Sequence, residues 1–305
     1  MSRSIIQCQD VSHSYSGKLA LKRVSFEIIA GEPIGLVGPN GAGKTTLLSI
    51  LCGFLMPSSG TVTILGHKPG DSRLCGKISA LPQDAKFDPA FTIGEQLAFL
   101  ARLQGFEVEQ SRQEAERVLE AVALKQMLSA KPDTLSHGMA KRVAIAQALI
   151  GSPELILLDE PTAGLDPVNT RNIRSIIMEQ AKNSTFIISS HDLAELGRVC
   201  QKVLLLENGV MSPMQHNVAE TEGSTGFITL QMEACAADEL MKALQELKGV
   251  IQVSNPQKNE FLVEYLPEKA PQMDIEILTC LAKRHWHYRQ LTRGKSLEEK
   301  LFFTD

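Results

Sequence analysis

The sequence lacks several features that define specialised classes of protein. None of its apolar runs reaches the roughly 18 residues that a helix needs to cross a bilayer, and its start, MSRSIIQCQD, contains no apolar core of a signal peptide. The six cysteines are scattered and form no C-x-x-C pair, which argues against a zinc site or a disulfide framework. We therefore expect a soluble, cytosolic chain with reduced, packed thiols.

Strong charge imbalance and biased composition are absent as well. Lys and Arg number 31 against 35 Asp and Glu, and this slight acidic excess argues against a dedicated nucleic-acid binder. With 43% apolar and 22% charged residues, the composition is that of a globular protein and excludes a disordered, collagen-like or coiled-coil chain. The length of 305 residues suggests about two domains.

Short apolar segments alternate with helical segments over the first two thirds of the chain. The strand signals lie at 33–37, 155–159, 185–190 and 202–206, and the helical signals at 43–53, 94–104, 110–129, 138–150 and 168–182. Strands that are apolar on both faces are typical of a parallel sheet covered by helices. The alternation therefore predicts an α/β fold.

The pattern changes after a polar segment at 209–225, which we interpret as a domain boundary. Beyond it the predicted strands are 226–233, 250–255, 260–266 and 286–291, and the predicted helices are 236–247 and 272–284. The order βαββαβ predicts a small ferredoxin-like α+β domain at 226–305. The last residues, SLEEKLFFTD, predict a short terminal helix capped by Ser296.

The segment GPNGAGKT at 38–45 matches G-x-x-x-x-G-K-[ST], with an apolar strand before it and a helical segment after it. Its glycines let the backbone approach an anion closely, and successive N–H groups at a helix N-terminus favour phosphate oxygens. A lysine adds a full positive charge, and the following threonine hydroxyl suits Mg²⁺. The alternative, a glycine-rich turn without a ligand, explains neither of these side chains. The expected ATP-binding residues here are Gly38, Pro39, Asn40, Gly41, Ala42, Gly43, Lys44, Thr45 and Thr46.

Two adjacent acids end the apolar strand in LILLDEPT at 155–162. Asp159 is placed to hold a metal, directly or through water, as in nucleotide hydrolases. Glu160 is placed to accept a proton from an attacking water or to orient it. The alternative is a pair of solvated acids at an edge turn, but two acids at a buried strand end require a compensating cation.

Two further elements follow in order along the chain. LSHGM at 135–139 opens the helical segment AKRVAIAQALIG, and AGLDP at 163–167 follows the two acids. With these elements in place, the sequence from about residue 5 to 215 resembles the nucleotide-binding subunit of an ABC transporter. The resemblance implies a P-loop NTPase (ABC ATPase) core at 1–215, with a helical subdomain at about 84–152.

The resemblance also implies roles for residues that are uninformative alone. Tyr15 is expected to stack on adenine, Gln83 to sense the metal, and His191 to contact the γ-phosphate. The catalytic residues are then Glu160, His191 and Gln83, and the metal ligands are Thr45, Asp159 and Gln83.

The signature at 135–139 departs from the family pattern LSGGQ, because His137 and Met139 replace a glycine and the glutamine. Ser136 and Gly138 remain, and the resemblance implies that they bind the γ-phosphate of an ATP held by an opposite subunit. A long side chain at the third position with Met at the fifth is similar to exporter subunits of the drug- and polysaccharide-efflux branch.

The implied activity is ATP hydrolysis, with ATP and Mg²⁺ as cofactors, in a head-to-tail dimer that powers separate membrane permease subunits. Residues 84–130 are the expected docking surface, and the cytoplasmic face of the inner membrane is the expected location. An importer subunit and a soluble ABC ATPase of translation or repair are the alternatives. The C-terminal domain resembles the extension of efflux-type subunits and suggests dimerisation or partner contact. There we expect a strand with Trp286 buried, with His285 and His287 as a metal pair as the alternative.

Overall fold

The computed structural model describes residues 3–83, 85–200, 202–212, 225–233 and 236–293. The chain divides into two compact units, residues 1–216 and 217–305. Over the described ranges, no helix is long and apolar enough to span a membrane.

The first unit contains two sheets and a set of helices. Its strands are β1 (Ser4–Tyr15), β2 (Lys18–Ile29), β3 (Ile34–Val37), β4 (Ser59–Ile64), β5 (Ile78–Leu81), β6 (Leu155–Asp159), β7 (Thr185–Ser190), β8 (Lys202–Glu207) and β9 (Val210–Met211). Its helices are α1 (Lys44–Leu51), α2 (Ile93–Leu103), α3 (Val108–Ala121), α4 (His137–Ala148), α5 (Pro167–Gln180) and α6 (Leu193–Leu196). Short 3₁₀ turns lie at Ser72–Leu74, Lys125–Met127 and Pro132–Thr134.

The central sheet has the order β5-β6-β7-β3-β8-β9, and its first five strands are parallel, which confirms the α/β prediction. Strands β6 and β7 are buried along their whole length. In register, Val37 lies beside Ser190 and Asp159 beside Ser189, so the carboxyl ends of β3, β6 and β7 meet at one edge. Ligands of open parallel sheets bind at this edge.

An antiparallel sheet, β2-β1-β4, adds to this core and was not predicted. Strand β1 pairs with both neighbours through several bulges, so its burial does not alternate regularly and the period of two is blurred. The apolar side chains of this sheet join α1 and the central strands in one core. The sheet carries Tyr15 at the end of its longest hairpin.

The helices α2, α3 and α4 lie within the segment expected to be helical. The prediction of one helix over 110–129 is wrong, because α3 ends at Ala121. Ala123 has a left-handed φ of 55°, which no helix accommodates, and a 3₁₀ turn follows. No glycine or proline marks this break in the sequence.

The second unit contains β10 (Gly226–Met232), β11 (Val250–Gln257), β12 (Glu260–Tyr265), β13 (Tyr288–Arg293), α7 (Ala237–Gln245) and α8 (Met273–Lys283). The sheet order β11-β12-β10-β13 with antiparallel neighbours is the ferredoxin-like arrangement, as predicted. Trp286 precedes β13 rather than lying within it, and it is partly buried against the core. The expected terminal helix at Ser296 lies outside the described residues.

Candidate active site

The phosphate loop runs from β3 into α1, as its sequence predicts. Gly43 caps the helix with a φ of 107°, and a Cβ at this residue would lie 2.6 Å from the carbonyl oxygen of Ala20. Gly41 also has a positive φ, 81°. Glycine alone accepts these conformations and this close approach without strain, so the loop shape depends on both residues.

Lys44 turns its side chain back over the loop and is only 6% exposed. Its Nζ donates to the carbonyl oxygens of Gly38 at 2.6 Å and Pro39 at 3.2 Å. The same Nζ lies 3.8 Å from Oε1 of Glu160. A buried ammonium group is thereby compensated by a carboxylate and two carbonyl groups.

Asp159 is buried at the end of β6, and hydroxyl groups hold both of its carboxylate oxygens. Oδ2 accepts from Oγ1 of Thr45 at 2.9 Å, and Oδ1 accepts a short hydrogen bond from Oγ of Ser189. Burial, together with the nearby negative charge of Asp159, raises the pKa of the Cys52 thiol to about 12. The carboxylate and the Thr45 hydroxyl form an oxygen-rich pair of the kind that Mg²⁺ prefers.

Glu160 follows directly in a left-handed conformation with a φ of 47°, which costs a non-glycine residue about 1–2 kcal/mol. Its N–H donates to Oγ of Ser189 at 2.9 Å. Its side chain is 11% exposed, and Oε1 lies 3.3 Å from Nδ1 of His191. The arrangement places one carboxylate between Lys44 and the partly exposed imidazole.

A cavity of about 390 Å³ brings most of the predicted residues together. Its lining includes Tyr15, Asn40, Gly41, Gly43, Lys44, Thr45, Thr46, Gln83 and Glu160. Tyr15 is 49% exposed, so its ring is accessible at the cavity. Lys18, Leu19 and Ala20 of β2 also line it and were not predicted.

Seven other predicted residues do not line this cavity. Asp159 lies at the end of β6, and His191 lines a neighbouring cavity that Glu160 also lines. Gly38 and Ala42 are buried residues of the loop itself, and the Pro39 carbonyl oxygen accepts from Lys44. Ser136 and Gly138 belong to the start of α4, and the cavity lining includes neither of them. The signature residues therefore do not complete the phosphate site of their own chain.

Ser136 and Gly138 have local roles in α4. Ser136 is the N-cap, and its Oγ accepts from the N–H of Met139 at 3.3 Å. A Cβ on Gly138 would lie 2.4 Å from the side chain of Asn169, so α4 and α5 approach each other through this glycine. Asn169 also donates to Asp166, the N-cap of α5, and these hydrogen bonds lower the Asp166 pKa.

Three functional candidates escaped the sequence analysis. Ser189 contacts both members of the carboxylate pair. Lys141 in α4 donates from Nζ to the carbonyl oxygen of Gln83 at 2.8 Å. The ring of His13 meets Tyr15 edge-on, with centroids 4.8 Å apart. Ser189 is one of three polar residues in the strand TFIISS, with Thr185 and Ser190, so the sequence did not single it out.

Comparison with known proteins agrees with this geometry. A family model described as ABC transporter matches residues 21–163. The Nod factor export ATP-binding protein I of Rhizobium sp. (strain N33) is 37% identical over 216 residues, which is 68% of this chain and 70% of that protein. The chain belongs to the ABC transporter ATP-binding family. The ABC ATPase fold also recurs in a dimeric ATP-binding cassette solved in a post-hydrolysis state with ADP and Pi, at 27% identity and a TM-score of 0.63, over 70% of this chain and 98% of that one.

A second relative is similar over nearly the whole length of the chain. The Nod factor export ATP-binding protein I of Rhizobium johnstonii is 37% identical over 306 residues, which is 98% of this chain and 94% of that protein. The matched region therefore includes the second unit. The chain is an ATP-binding and ATP-hydrolysing subunit of an ABC transporter.

Proposed function

We propose that this ABC ATPase drives export by hydrolysing Mg-ATP at the cavity between Tyr15 and Glu160. The observation that carries the catalytic part is the position of Glu160. Its carboxylate lines the phosphate-loop cavity, 3.8 Å from Lys44 Nζ and 3.3 Å from His191 Nδ1. A base at this place can take a proton from a water that attacks a phosphate held by the loop.

The residues at the strand ends fit a magnesium ion. The Thr45 hydroxyl and Asp159 Oδ2 lie 2.9 Å apart, and Gln83 lines the same cavity, so these three would supply oxygen ligands. When bound, Mg²⁺ would neutralise charge on the β- and γ-phosphates. Among the described residues, no three His, Cys, Asp or Glu side chains cluster as a metal site. A site with few protein ligands is typical of Mg²⁺ that binds together with a nucleotide.

Residues of the chain itself bind the nucleotide and assist the proton transfer. The loop N–H groups and Lys44 bind the phosphates, and Tyr15 stacks on the adenine. Lys44 exchanges its contacts with Glu160 and two loop carbonyls for phosphate oxygens, which leaves Glu160 free to accept a proton. His191 donates a hydrogen bond toward the γ-phosphate and fixes the orientation of Glu160.

The signature residues serve a second copy of the chain. Ser136 and Gly138 do not line the phosphate-loop cavity of their own chain, so they are available to a γ-phosphate held by a partner. A two-fold dimer then builds two sites of identical composition. The dimeric cassette among the structural neighbours supports this assembly.

A mixing experiment tests the shared site. Lys44→Ala disables the phosphate loop, while Ser136→Asp keeps an N-cap for α4 but repels a γ-phosphate. Each variant alone is expected to be inactive. In an equal mixture half of the dimers are mixed and each has one intact site, so about a quarter of the parent activity returns. No recovery in the mixture would contradict the shared site.

A groove between α2 and α3 is the proposed seat of a membrane permease subunit, which would hold the ATPase at the cytoplasmic face of the inner membrane. The groove has a volume of about 440 Å³. Phe99 and Val108 line it and are 60% and 47% exposed. Arg102 and Glu116 add charge of both signs at its edge, which suits a short amphipathic helix.

Export is favoured over import because both relatives described above are named for export and one of them matches the second unit as well. Inverted membrane vesicles that contain the ATPase and its permease provide the test. An exporter accumulates its substrate inside such vesicles when ATP is added outside. ATP-dependent loss of preloaded substrate would instead support an importer.

A further inference from the structure

The Ser189 hydroxyl contacts both acidic residues of the candidate active site, the Asp159 carboxylate and the Glu160 backbone. Ser189 is 0% exposed and occupies the next-to-last residue of β7. It pairs in register with Asp159, so its side chain reaches the neighbouring strand end. The residues around it in β7 are buried as well.

This hydroxyl makes two hydrogen bonds with different partners. It donates its single proton to Oδ1 of Asp159 and accepts the N–H of Glu160 at 2.9 Å. Because a hydroxyl has one proton, the bond to Asp159 fixes its rotation and directs a lone pair toward Glu160. Thr45 holds the other oxygen of Asp159. The carboxylate therefore has no free rotation about its last bond.

The bond to Glu160 acts on the backbone. A φ of 47° is unfavourable for glutamate, and the N–H bond to Ser189 stabilises the peptide in that conformation. The turn directs the Glu160 side chain toward Lys44 and His191. A relaxed backbone at Glu160 would move its carboxylate away from both.

We propose that Ser189 is a positioning residue for ATP hydrolysis, which holds Asp159 and Glu160 in their hydrolytic geometry without touching the nucleotide. The inference rests on the roles proposed above for these two acids. Ser189→Ala removes the hydroxyl with little change in volume. A displacement of a reacting group by about 1 Å costs on the order of a hundredfold in rate. We expect kcat to fall about ten- to a hundredfold.

Two accompanying readouts separate positioning from binding. The KM for ATP stays within about threefold of the parent, because the phosphate loop is intact. The Mg²⁺ concentration for half-maximal turnover rises, because Asp159 loses one of its two restraints. Ser189→Thr, which keeps the hydroxyl, recovers most of the turnover.

Thr185 provides a matched control on the same strand. It is 3% exposed, and its hydroxyl accepts the N–H of Gly31 at 3.1 Å, at the opposite end of β7. Thr185→Val deletes a buried hydroxyl of similar kind about 13 Å away, given about 3.3 Å per residue. We expect Thr185→Val to lower the melting temperature about as much as Ser189→Ala does. It should change neither kcat nor the dependence of turnover on Mg²⁺.

Normal kcat in Ser189→Ala, or an equal loss of kcat in Thr185→Val, overturns the inference. If Ser189→Ala does not fold, Ser189→Cys, a weak donor and acceptor, takes its place with the same expectation. Adding Ser189→Ala to Glu160→Gln should lower the residual turnover by less than Ser189→Ala lowers the turnover of the parent, because only the effect through Asp159 remains. If Glu160→Gln itself turns over normally, the proposed role of Glu160 fails, which is distinct from failure of the Ser189 inference alone.

Discussion

Replacement of Glu160 by glutamine is the sharpest test of the proposed chemistry. The amide has nearly the same shape, so it can keep the contact with His191, but it cannot accept a proton from water. Removing a general base costs about 10²–10⁴ in rate, which is about 2.7–5.4 kcal/mol of activation free energy. We expect kcat to fall within that range.

The same change should not weaken ATP binding. Glu160 lies 3.8 Å from Lys44 Nζ and is 11% exposed. At this distance a pair of unit charges attracts with about 4 kcal/mol before desolvation is counted, at an effective dielectric constant of about 20. The variant loses this attraction, but an incoming γ-phosphate supplies the compensating charge and meets one repulsive carboxylate fewer. Bound ATP should therefore persist and hold the proposed dimer together.

The assay combines phosphate release at saturating Mg-ATP with light scattering after gel filtration. Glu154→Gln is a matched control, because Glu154 flanks the other end of β6, about 20 Å away at about 3.3 Å per residue. It forms an exposed pair with Arg3, worth at most about 1 kcal/mol. Turnover of Glu160→Gln within about threefold of the parent, with the control unchanged, would refute Glu160 as the base.

Three further substitutions or labelling experiments follow from the structure. Gly43→Ala should abolish nucleotide binding and destabilise the fold by about 1–3 kcal/mol in denaturant unfolding, because a Cβ meets a carbonyl of β2 at 2.6 Å. Burial would raise the Glu114 pKa, but hydrogen bonds from Arg117 and a backbone N–H outweigh it and lower the pKa. Its contribution to stability is thus present above about pH 4.3 and is lost as the pH falls through the lower folded value; Glu114→Gln should remove it at pH 7, by about 1–3 kcal/mol. Native iodoacetamide labelling should modify exposed Cys75 well before Cys200, whose pKa burial raises to about 12.

A specific result would contradict each of these three predictions. Nucleotide binding by the Gly43 variant would show that the loop tolerates a different backbone. If the free energy of unfolding of the Glu114 variant falls with decreasing pH just as it does in the parent, the stabilising charge lies elsewhere. Equal labelling rates for the two cysteines would contradict the burial of Cys200.

Strands β3, β6, β7 and β8 of the central sheet were predictable because they are short, apolar and bounded by motifs, whereas β5 and β9 were not predicted. Strands β6 and β7 match the predicted ranges 155–159 and 185–190. The second unit was predictable for a related reason, since the spacing of apolar residues differs between its strand segments and its helical segments. The antiparallel sheet was missed because bulges in β1 interrupt its alternation. The end of α3 was missed because a left-handed alanine, unlike a glycine, leaves no sign in the sequence.

The site was predictable to the extent that its residues belong to contiguous motifs. Lys44, Thr45 and Glu160 were expected, and the structure brings them to one cavity. Ser189 and Lys141 act through contacts between segments distant in sequence. Such contacts depend on strand order and register, which the pattern of single segments does not determine.

The close approach at Gly138 has a consequence for how the protein can change shape. This glycine abuts Asn169, and Asn169 is bonded to the residue that starts α5. A push on the beginning of α4 is therefore transmitted directly to the loop before α5, without slack from intervening side chains. The start of α4 and the start of α5 are therefore expected to move as one unit.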